Sequence, residues 1–286
     1  MAEVTEKPKI YFISFADSRM SAATTRIAEQ AEAMNFFHEI HVMNEDGLDK
    51  EFRERWKVVM RPGVRGFGYW CWKPYIIRKK LEQLEEGDIL LYCDAGCHLN
   101  PGGVERLEFY VKETCNDFVG IKAFPAFSKH TDVLERRWTK GDVFDYFTCR
   151  QRKEITDTPQ IASGHIFMRK TALSLRFVQD WEKVWYDNFS LIDDTASKSS
   201  NLPTFLENRH DQSIFSILYK QYGATPLPDR ETEASDYSQL KNCPFWDLRD
   251  KGYKDKRFFP RLRRWIKAKM FKAKILMEKL RALYGK

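Results

Sequence analysis

Residues 87–100 read GDILLYCDAGCHLN, and this stretch decides the fold. Residues 89–92 are all apolar or aromatic, and a continuous run of this kind after a glycine is typical of a strand buried on both faces of a sheet. The run ends at Asp94, and Gly96 and His98 follow closely. In α/β sheets the ligand crevice lies at the carboxyl ends of the strands. The stretch therefore predicts an α/β protein with a charged group at that edge.

The sequence around this strand predicts the rest of a mostly parallel sheet flanked by helices. KIYFISFAD (9–17) predicts a first strand, residues 21–37 a helix, and HEIHVMNE (38–45) a second strand, which together form a β-α-β start. A Gly-rich turn and a helix through Leu84 precede the central strand. Further strands are predicted at 117–124 and 165–170, helices at 171–189 and 211–223, and loops at 125–160 and 190–205.

The composition is that of a globular chain. It has 286 residues, of which 43% are hydrophobic, and this is enough for a large core. The six cysteines include no CxxC pair, so a zinc-ribbon spacing and a small disulfide framework are both disfavoured, and free thiols in a reducing cytoplasm are expected. Residues 1–18 lack an apolar signal core, and no apolar run is long enough to span a bilayer. We expect a cytoplasmic protein that is not integral to a membrane.

The net charge of +7 comes from the C-terminal end of the chain. Residues 254–286 contain thirteen Lys or Arg against two acidic residues, a net of +11, so the first 253 residues carry −4. Apolar residues of this tail recur at helical spacing: Leu262, Trp265, Ile266, Ala273, Leu276, Met277, Leu280 and Leu283. We therefore divide the chain into a globular domain at 1–253 and a basic amphipathic tail at 254–286.

The basic tail favours a membrane partner. A cationic amphipathic helix over residues 260–284 is typical of a peripheral anchor, and each Lys or Arg near anionic lipid contributes about 1 kcal/mol. A helix packed on its own domain and a nucleic-acid-binding arm are the alternatives. Nucleic acid is disfavoured because the body of the chain is slightly acidic and contains no recognisable binding motif.

Asp94 is the first candidate for chemistry. A carboxylate at a strand end can coordinate a divalent cation, which in turn neutralises a diphosphate and improves it as a leaving group. An Asp that only caps a loop would look the same in the sequence. The strand before Asp94 favours the functional interpretation.

The chain also resembles a family, the GT-A glycosyltransferases of the bacterial capsule and lipopolysaccharide type. The resemblance rests on the order of elements, with an apolar strand ending in Asp and a late helix beginning with DQ, and on the phrase GFGYWCWKPYIIRKKLEQLEEGDILLYCDAG at 66–96. It covers about residues 9–225. It implies a GT-A, Rossmann-like fold, a nucleotide-sugar donor and a glycan acceptor.

By this resemblance Asp94 stands where such enzymes place the first carboxylate of their DxD motif, which contacts the metal and the sugar nucleotide. The second acid of the motif is Gly96 in this chain. One expectation is a Mn²⁺ or Mg²⁺ ion at Asp94, with His98 as a further ligand if the loop does not turn. The other is a metal-independent site in which Arg and Lys hold the diphosphate, and both stay open.

Other residues that would bind the nucleotide sugar precede Asp94 in the chain. Arg65 stands beside a Gly-rich turn that allows close approach to a phosphate, and Lys73 lies near a helix start. The resemblance adds Phe15, Asp17 and Arg19, at the end of the first strand, as the site for the base and the ribose. A solvated surface position is the alternative for Arg65 and Lys73, and a helix cap is the alternative for Asp17.

The transfer site is expected in the second half of the chain. In IASGHIFMRKT, Ser163 and Gly164 come before a predicted strand and resemble the family's sugar- and acceptor-binding turn, with His165 facing the crevice. Asp211 begins a helix and matches the acidic position beside the transferred sugar. We predict Asp211 as the catalytic carboxylate, acting as base or as cation stabiliser, with His165 beside it. A simple bend at Gly164 and an N-cap at Asp211 are the alternatives.

Together these features predict an enzyme on the cytoplasmic face of the inner membrane. It would transfer a hexose, with galactose as one candidate, from a UDP-sugar to a bacterial surface polysaccharide such as capsule or O-antigen, or to a lipid-linked glycan. One alternative is a nucleotidyl- or phosphotransferase on a similar sheet. The other is a non-enzymatic scaffold that recruits an assembly complex to the membrane through the basic tail.

Overall fold

The computed structural model of the protein describes residues 7–128 and 131–252. The basic tail predicted at 254–286 lies outside the described residues, so its helix, its membrane role and the domain boundary at 253 stay predictions. Among the helices in the described ranges, none is both long enough and apolar enough to span a membrane.

The centre of the fold is a five-stranded sheet. Its strands are β1 Ile10–Phe15, β2 Glu39–Met43, β3 Ile89–Cys93, β5 Ile121–Pro125 and β6 Ile161–Arg169, and a second, two-stranded sheet pairs β4 His98–Leu99 with β7 Phe245–Trp246. The order is β2-β1-β3-β6-β5; β1, β2 and β3 are parallel, and β6 is antiparallel to both β3 and β5. The predicted α/β class with a mostly parallel sheet is confirmed.

Helices cover both faces of the sheet. They are α1 Ser21–Ala33, α2 Lys50–Trp56, α3 Gly66–Tyr69, α4 Trp72–Leu81, α5 Val104–Asn116, α6 Glu135–Trp138, α7 Gly141–Tyr146, α8 Lys153–Thr156, α9 Ala172–Asp187 and α10 Asp211–Gln221, with 3₁₀ turns at Ser18–Met20, Glu45–Gly47, Pro101–Gly103, Phe189–Leu191 and Tyr237–Leu240. The longest, α9, begins at a capping box between Thr171 and Ser174.

All five residues of β3 are buried, as its apolar run predicts. Leu90 and Tyr92 pack in the core cluster formed with α4, α9 and α10, whereas the alternate positions, Leu91 and Cys93 among them, pack in the cluster formed with α1 and α5. Burying a large apolar side chain contributes about 1.5–3 kcal/mol. The strand that precedes Asp94 is therefore packed between two hydrophobic core clusters.

The sequence prediction is wrong about the start of β6. Ser163 and Gly164 lie inside this strand, not in a turn before it, because β6 begins at Ile161 and pairs there with Pro125 of β5. Two small polar or flexible residues near the start of a strand resemble a turn in the sequence. Their place in the sheet is decided by the neighbouring strands.

The sequence prediction is also wrong about the segment 125–160, which contains α6, α7 and α8. A fully buried carboxylate, Glu135, orders this region. It accepts hydrogen bonds from Thr139 at 2.6 Å and Gln160 at 2.9 Å, and it pairs with Lys220 at 2.7 Å. These partners satisfy a buried charge, so polar contacts help to order the segment together with its buried apolar residues, such as Val143 and Phe144.

A second buried ion pair joins β5 to the turn before it. Lys122 Nζ lies 2.9 Å from Asp117 Oδ2, and the Asp117 carboxylate also accepts from the amides of Val119 and Gly120 and from Thr225. Burial raises the pKa of Asp117, but the bonds from Lys122 and Thr225 outweigh it and lower the pKa below its ordinary 3.8. The pair therefore stabilises the fold above about pH 4 and loses this effect as the pH falls through the lowered pKa.

Lys122→Met should destabilise the protein by about 3–5 kcal/mol at neutral pH, because it leaves the Asp117 charge buried without its partner. Urea unfolding followed by circular dichroism measures the change. The double variant Asp117→Asn/Lys122→Met should recover most of the loss. A matched exposed control is Lys57→Met, which breaks the surface pair with Glu54 and should cost under about 1 kcal/mol. Equal stability of Lys122→Met and wild type would contradict this account.

Candidate active site

A cavity of about 650 Å³ opens at the carboxyl ends of β1 and β3. Its lining includes residues 15–17 at the end of β1 and residues 94–97 after β3. Residues 162–165 of β6 and the start of α10 line it as well. Nine of the residues predicted from sequence line this cavity: Phe15, Asp17, Arg19, Arg65, Lys73, Asp94, Gly164, His165 and Asp211. The cavity lies at the edge of the sheet where α/β folds bind ligands.

Lys73 lies in the wall of this cavity, with 2% of its side chain exposed. Its Nζ is 2.9 Å from Asp211 Oδ2 and 3.2 Å from Asp94 Oδ1, and it donates to the Ser163 carbonyl oxygen at 3.1 Å. Ser163 Oγ donates in turn to Asp211 Oδ2 at 2.8 Å. Four elements, α4, β3, β6 and α10, therefore meet at one ammonium group.

These contacts shift the pKa values of Lys73 and Asp211. Burial on its own would lower the pKa of Lys73, but the Asp211 and Asp94 carboxylates outweigh it and raise this pKa. Burial raises the pKa of Asp211, and the Lys73 ammonium offsets this shift only in part. Lys73 is therefore a cation at neutral pH, and Asp211 is a carboxylate with a higher proton affinity than usual.

Asp94 keeps one oxygen open to the cavity. Its Oδ1 accepts a hydrogen bond from the Tyr92 hydroxyl at 2.5 Å and contacts Lys73, while 37% of the side chain is exposed. Its Oδ2 faces Gly164, where an added Cβ would stand 3.5 Å away. Because Gly164 has no side chain, a ligand can reach this oxygen. Asp94 is thus held by the protein on one side and accessible on the other.

The surroundings of Asp94 fit a Mn²⁺ or Mg²⁺ ion poorly. These ions prefer several oxygen ligands, but Gly96 supplies no side chain and Oδ1 of Asp94 is already engaged by Tyr92 and Lys73. The nearby ammonium would also repel a divalent cation. Within residues 7–128 and 131–252, no group of three potential metal ligands within 4.8 Å of one another includes Asp94.

His98, the second predicted metal ligand, lies on β4 and is not among the residues that line the cavity. Its Nδ1 is 3.3 Å from Gln30 Nε2, and its Nε2 is 3.1 Å from Asp250 Oδ2. The loop after Asp94 turns, with Cys97 N donating to the Asp94 carbonyl at 2.9 Å. This turn separates positions 94 and 98, which an extended path would have placed on one face.

His165 lines the cavity, but its ring is 2% exposed. Its Nε2 lies 3.3 Å from Asp247 Oδ1, and the ring packs on Phe245 with centroids 4.6 Å apart. Burial on its own would lower the pKa of His165, but the Asp247 carboxylate, Cys97 and Asp94 together outweigh it and raise the pKa to about 9. The imidazole is thus directed to Asp247, a residue that sequence reasoning missed.

The backbone is left-handed through the turn before α4. The φ angles are 58° at Gly66, 50° at Phe67, 94° at Gly68, 54° at Tyr69 and 61° at Trp70. A non-glycine residue in this conformation costs about 1–2 kcal/mol, so contacts around the turn must hold it. The Trp72 indole donates to the Gly66 carbonyl at 3.1 Å, and a Cβ at Gly66 would stand 2.4 Å from the Trp70 ring. Strained turns of this kind cluster at ligand sites.

The three residues predicted to bind the base and ribose take different positions. Phe15 is 2% exposed and packs on Trp72 at a centroid distance of 4.2 Å, so its ring supports the cavity wall. Asp17 accepts from Arg19 N at 3.2 Å and pairs with Arg19 Nε at 2.6 Å. Asp17 therefore caps the 3₁₀ turn and also lines the cavity, and its predicted contact with the nucleotide stays a prediction.

Sequence reasoning missed three cations that line the cavity: Arg209, Arg249 and Lys251. Arg209 lies over the Trp138 ring at 3.9 Å, and burial lowers its pKa to about 10, so it stays charged. Arg65 is at the rim, 3.5 Å from Glu207 and 3.7 Å from Asp194. The missed residues lie in loops without a motif, so no local pattern marks them.

His210 is a further residue that sequence reasoning treated only as a helix start. It is 2% exposed, lines the cavity and has a positive φ of 56°. Its Nδ1 donates to the Ile192 carbonyl at 2.5 Å, and burial lowers its pKa, so the ring is neutral at neutral pH. Among the residues described, its Nε2 has no hydrogen-bond partner. A neutral imidazole therefore stands directly before Asp211.

Several solved structures that are similar to this chain are glycosyltransferases. No protein-family model matches the sequence, and no curated protein matches it. Similar solved structures include a glycosyltransferase involved in glycosylation of the major capsid of PBCV-1 (12% identity, TM-score 0.47, 84% of this chain and 92% of that one), mouse xyloside xylosyltransferase 1 (9%, 0.43, 83% and 93%) and the galactosyltransferase LgtC in complex with donor and acceptor sugar analogues (13%, 0.41, 82% and 86%). At such identities and TM-scores the likeness carries no argument about function, which has to be inferred from the cavity.

Gly66→Ala should destabilise the protein by about 1–3 kcal/mol, because its methyl group would meet the Trp70 ring at 2.4 Å and strain the left-handed turn. Urea unfolding measures the loss, and tryptophan fluorescence should report the displaced ring. Gly223→Ala is the matched control: Gly223 has a φ of +77° but nothing within 4 Å of an added Cβ, so it tests backbone strain alone. Equal effects of both variants on stability and fluorescence would contradict a specific role for the Trp70 contact.

Proposed function

We propose that this protein is a nucleotide-sugar-dependent glycosyltransferase whose donor binds in the cavity at the carboxyl edge of the sheet. The observation that carries the proposal is the Lys73 ammonium held between Asp94 and Asp211 in the wall of that cavity. It links an accessible carboxylate to a buried carboxylate of raised pKa. A volume of about 650 Å³ lies in the usual range of small-molecule sites.

The cationic side chains of the rim would hold the diphosphate of the donor. Arg65, Arg209 and Arg249 line the same cavity, and a guanidinium binds a phosphate through two parallel hydrogen bonds. Asp17 and Arg19, at the end of β1, are the proposed contacts of the nucleoside. This division places the diphosphate between the nucleoside site and the Lys73 group.

The chemical step exchanges one bond at the anomeric carbon. The bond to the diphosphate oxygen breaks, the nucleoside diphosphate leaves with the electron pair, and an acceptor hydroxyl forms the new C–O bond. Asp211 would take the hydroxyl proton or stabilise positive charge at the anomeric carbon, and its raised pKa suits the first role. Lys73 and Ser163 fix its Oδ2, which leaves Oδ1 for the substrate.

We assign no step to a divalent ion at Asp94, because the donor groups around it fit one poorly. A bound Mn²⁺ or Mg²⁺ would supply charge neutralisation at the diphosphate. In the proposed enzyme, Arg and Lys side chains supply that charge. The accessible Oδ2 of Asp94 then accepts a hydrogen bond from a donor hydroxyl.

More specifically, we propose that the enzyme transfers a hexose, with galactose as the first candidate, from a UDP-sugar. The acceptor would be a bacterial surface polysaccharide or a lipid-linked glycan. Residues 260–284 support this choice through their sequence, because a basic amphipathic segment would keep a cytoplasmic enzyme at the inner-membrane surface where such acceptors are assembled.

Purified full-length protein incubated with a panel of UDP-hexoses should bind at least one saturably and release UDP slowly by hydrolysis, since water can replace the acceptor. Isothermal titration and chromatography of the nucleotide products measure both. Release of pyrophosphate in place of nucleoside diphosphate would indicate nucleotidyl transfer. Absence of binding to every nucleotide sugar tested, with or without Mn²⁺, would refute the proposal.

Asp211→Asn should lower kcat by about 10²–10⁴-fold with little change in donor affinity, because it removes a proton acceptor but keeps the side-chain shape. Asp94→Asn should instead weaken donor binding by about 10–100-fold, the value of a hydrogen bond to a charged group. Asp229→Asn, at an exposed position away from the cavity, is the matched control and should match wild type. Wild-type kinetics for both cavity variants would leave the two carboxylates without the proposed roles.

Mn²⁺ added to the protein should leave its affinity for UDP nearly unchanged, because Lys73 already occupies the electrostatic position of a cation beside Asp94. Titration calorimetry at several Mn²⁺ concentrations measures this. A gain of about tenfold or more, some 1.4 kcal/mol, would place an ion in the donor site.

A further inference from the structure

A second constellation of potential ligands lies in the wall of the cavity, which Cys97, His165 and Asp247 line, with Cys93 next to them. In the described residues, Cys93, Cys97 and His165 form the one group of three or more His, Cys, Asp or Glu whose ligand atoms all lie within 4.8 Å of one another. All three side chains are buried. A fourth donor is close, since Asp247 Oδ1 lies 3.1 Å from Cys97 Sγ and 3.3 Å from His165 Nε2.

The fold brings these four residues together from separate parts of the chain. Cys93 and His165 are direct partners in the antiparallel pairing of β3 with β6, so their side chains share one face of the sheet. The turn after β3 brings Cys97 back beside Cys93. Asp247 follows β7 and is fixed by Thr232, whose hydroxyl donates to its Oδ2 at 3.0 Å.

The ligand atoms of Cys93, Cys97 and His165 lie close enough together to surround a single ion, and Asp247 Oδ1 lies beside two of them, Cys97 Sγ and His165 Nε2. His165 Nε2 is fully buried and, within residues 7–128 and 131–252, has no hydrogen-bond partner, although it faces Asp247 and Cys97. Two ligand atoms about 2.1 Å from a tetrahedral zinc ion lie about 3.4 Å apart. The observed 3.3 Å between His165 Nε2 and Asp247 Oδ1 agrees with that edge.

We propose that Cys93, Cys97, His165 and Asp247 bind one zinc ion. Two thiolates, one imidazole and one carboxylate are the ligand types that zinc accepts, and two soft sulfurs disfavour Mg²⁺, Ca²⁺ and Mn²⁺. Four protein ligands make a closed, structural site with no position for substrate. Binding replaces the two thiol protons by Zn–S bonds and the Nε2 proton of the His165 imidazolium by a Zn–N bond, and all three protons are released to solvent.

The zinc site adjoins the donor site, since three of its ligands line the same cavity, but its role is structural. Asp94 follows Cys93 directly, so an ion on Cys93 and Cys97 would fix the turn that carries Asp94. The same ion would tie Asp247 of the C-terminal segment to the central sheet. His165 would then support the cavity wall as a ligand, and metal content would be independent of whether the cavity binds a nucleotide sugar.

Full-length protein expressed with added zinc and purified without chelators should contain about one zinc per chain by elemental mass spectrometry. Cobalt exchanged for zinc should give a thiolate-to-cobalt charge-transfer band and the visible spectrum of a tetrahedral ion. Cys93→Ser and Cys97→Ser should lose the zinc and the charge-transfer intensity. Asp247→Asn should weaken zinc binding by about 10–100-fold.

Cys115→Ser is the matched control, because Cys115 is a partly buried free cysteine outside the cluster, and it should keep the full zinc content. If the cysteine variants do not fold, the thermal stability of the wild-type protein tests the proposal. Removal of zinc by a chelator should lower its Tm, and zinc added back should restore it. Zinc-free wild type with no cobalt thiolate band would overturn the proposal. So would a disulfide between Cys93 and Cys97, or zinc content that the cluster variants retain.

Discussion

The cavity depends on one buried interaction, the Lys73 ammonium between the carboxylates of Asp94 and Asp211. A lysine that is 2% exposed would be strongly destabilising without partners, and two carboxylates at this spacing would repel each other without a cation. Each group is therefore tolerated only because the other two are present. Since the three lie on α4, at the end of β3 and at the start of α10, their contact fixes the relative position of these elements at the ligand edge of the sheet.

Side chains at the end of β3 alternate between the two faces of the sheet and so contact two different environments. Tyr92 faces α4, where its hydroxyl donates to Asp94 and Lys73 lies 5.1 Å from its ring. Cys93 faces the opposite side, where it meets His165 and Cys97. Successive side chains of a strand point to opposite faces, so three consecutive residues, 92–94, connect a charged cavity with a thiol-rich cluster. A change in either environment would be transmitted to the other through a very short segment.

The left-handed turn at 66–70 shows how local strain is balanced by packing. Three non-glycine residues adopt positive φ there, at a cost of about 1–2 kcal/mol each. The Trp72 indole bond to Gly66 and the burial of Phe67 hold the turn in place. Arg65 precedes the strained residues, Trp70 is the last of them, and both line the cavity, so the turn sets the position of a cation and an aromatic ring together.

The sequence by itself determined the elements and their order. The apolar run before Asp94, the helical periodicity after Trp72 and the polar residue at each strand end are local signals, and local signals survive without knowledge of the partner strands. The resemblance to GT-A glycosyltransferases added the expectation that Asp94, Lys73 and Asp211 belong to one site. Tertiary structure alone decided which groups touch: that Ser163 and Gly164 lie inside β6, that His98 turns away, and that Asp247 reaches His165. These contacts join residues far apart in the chain, and a spacing such as that of Cys93 and Cys97 carries no meaning until β6 and β7 supply the other two ligands.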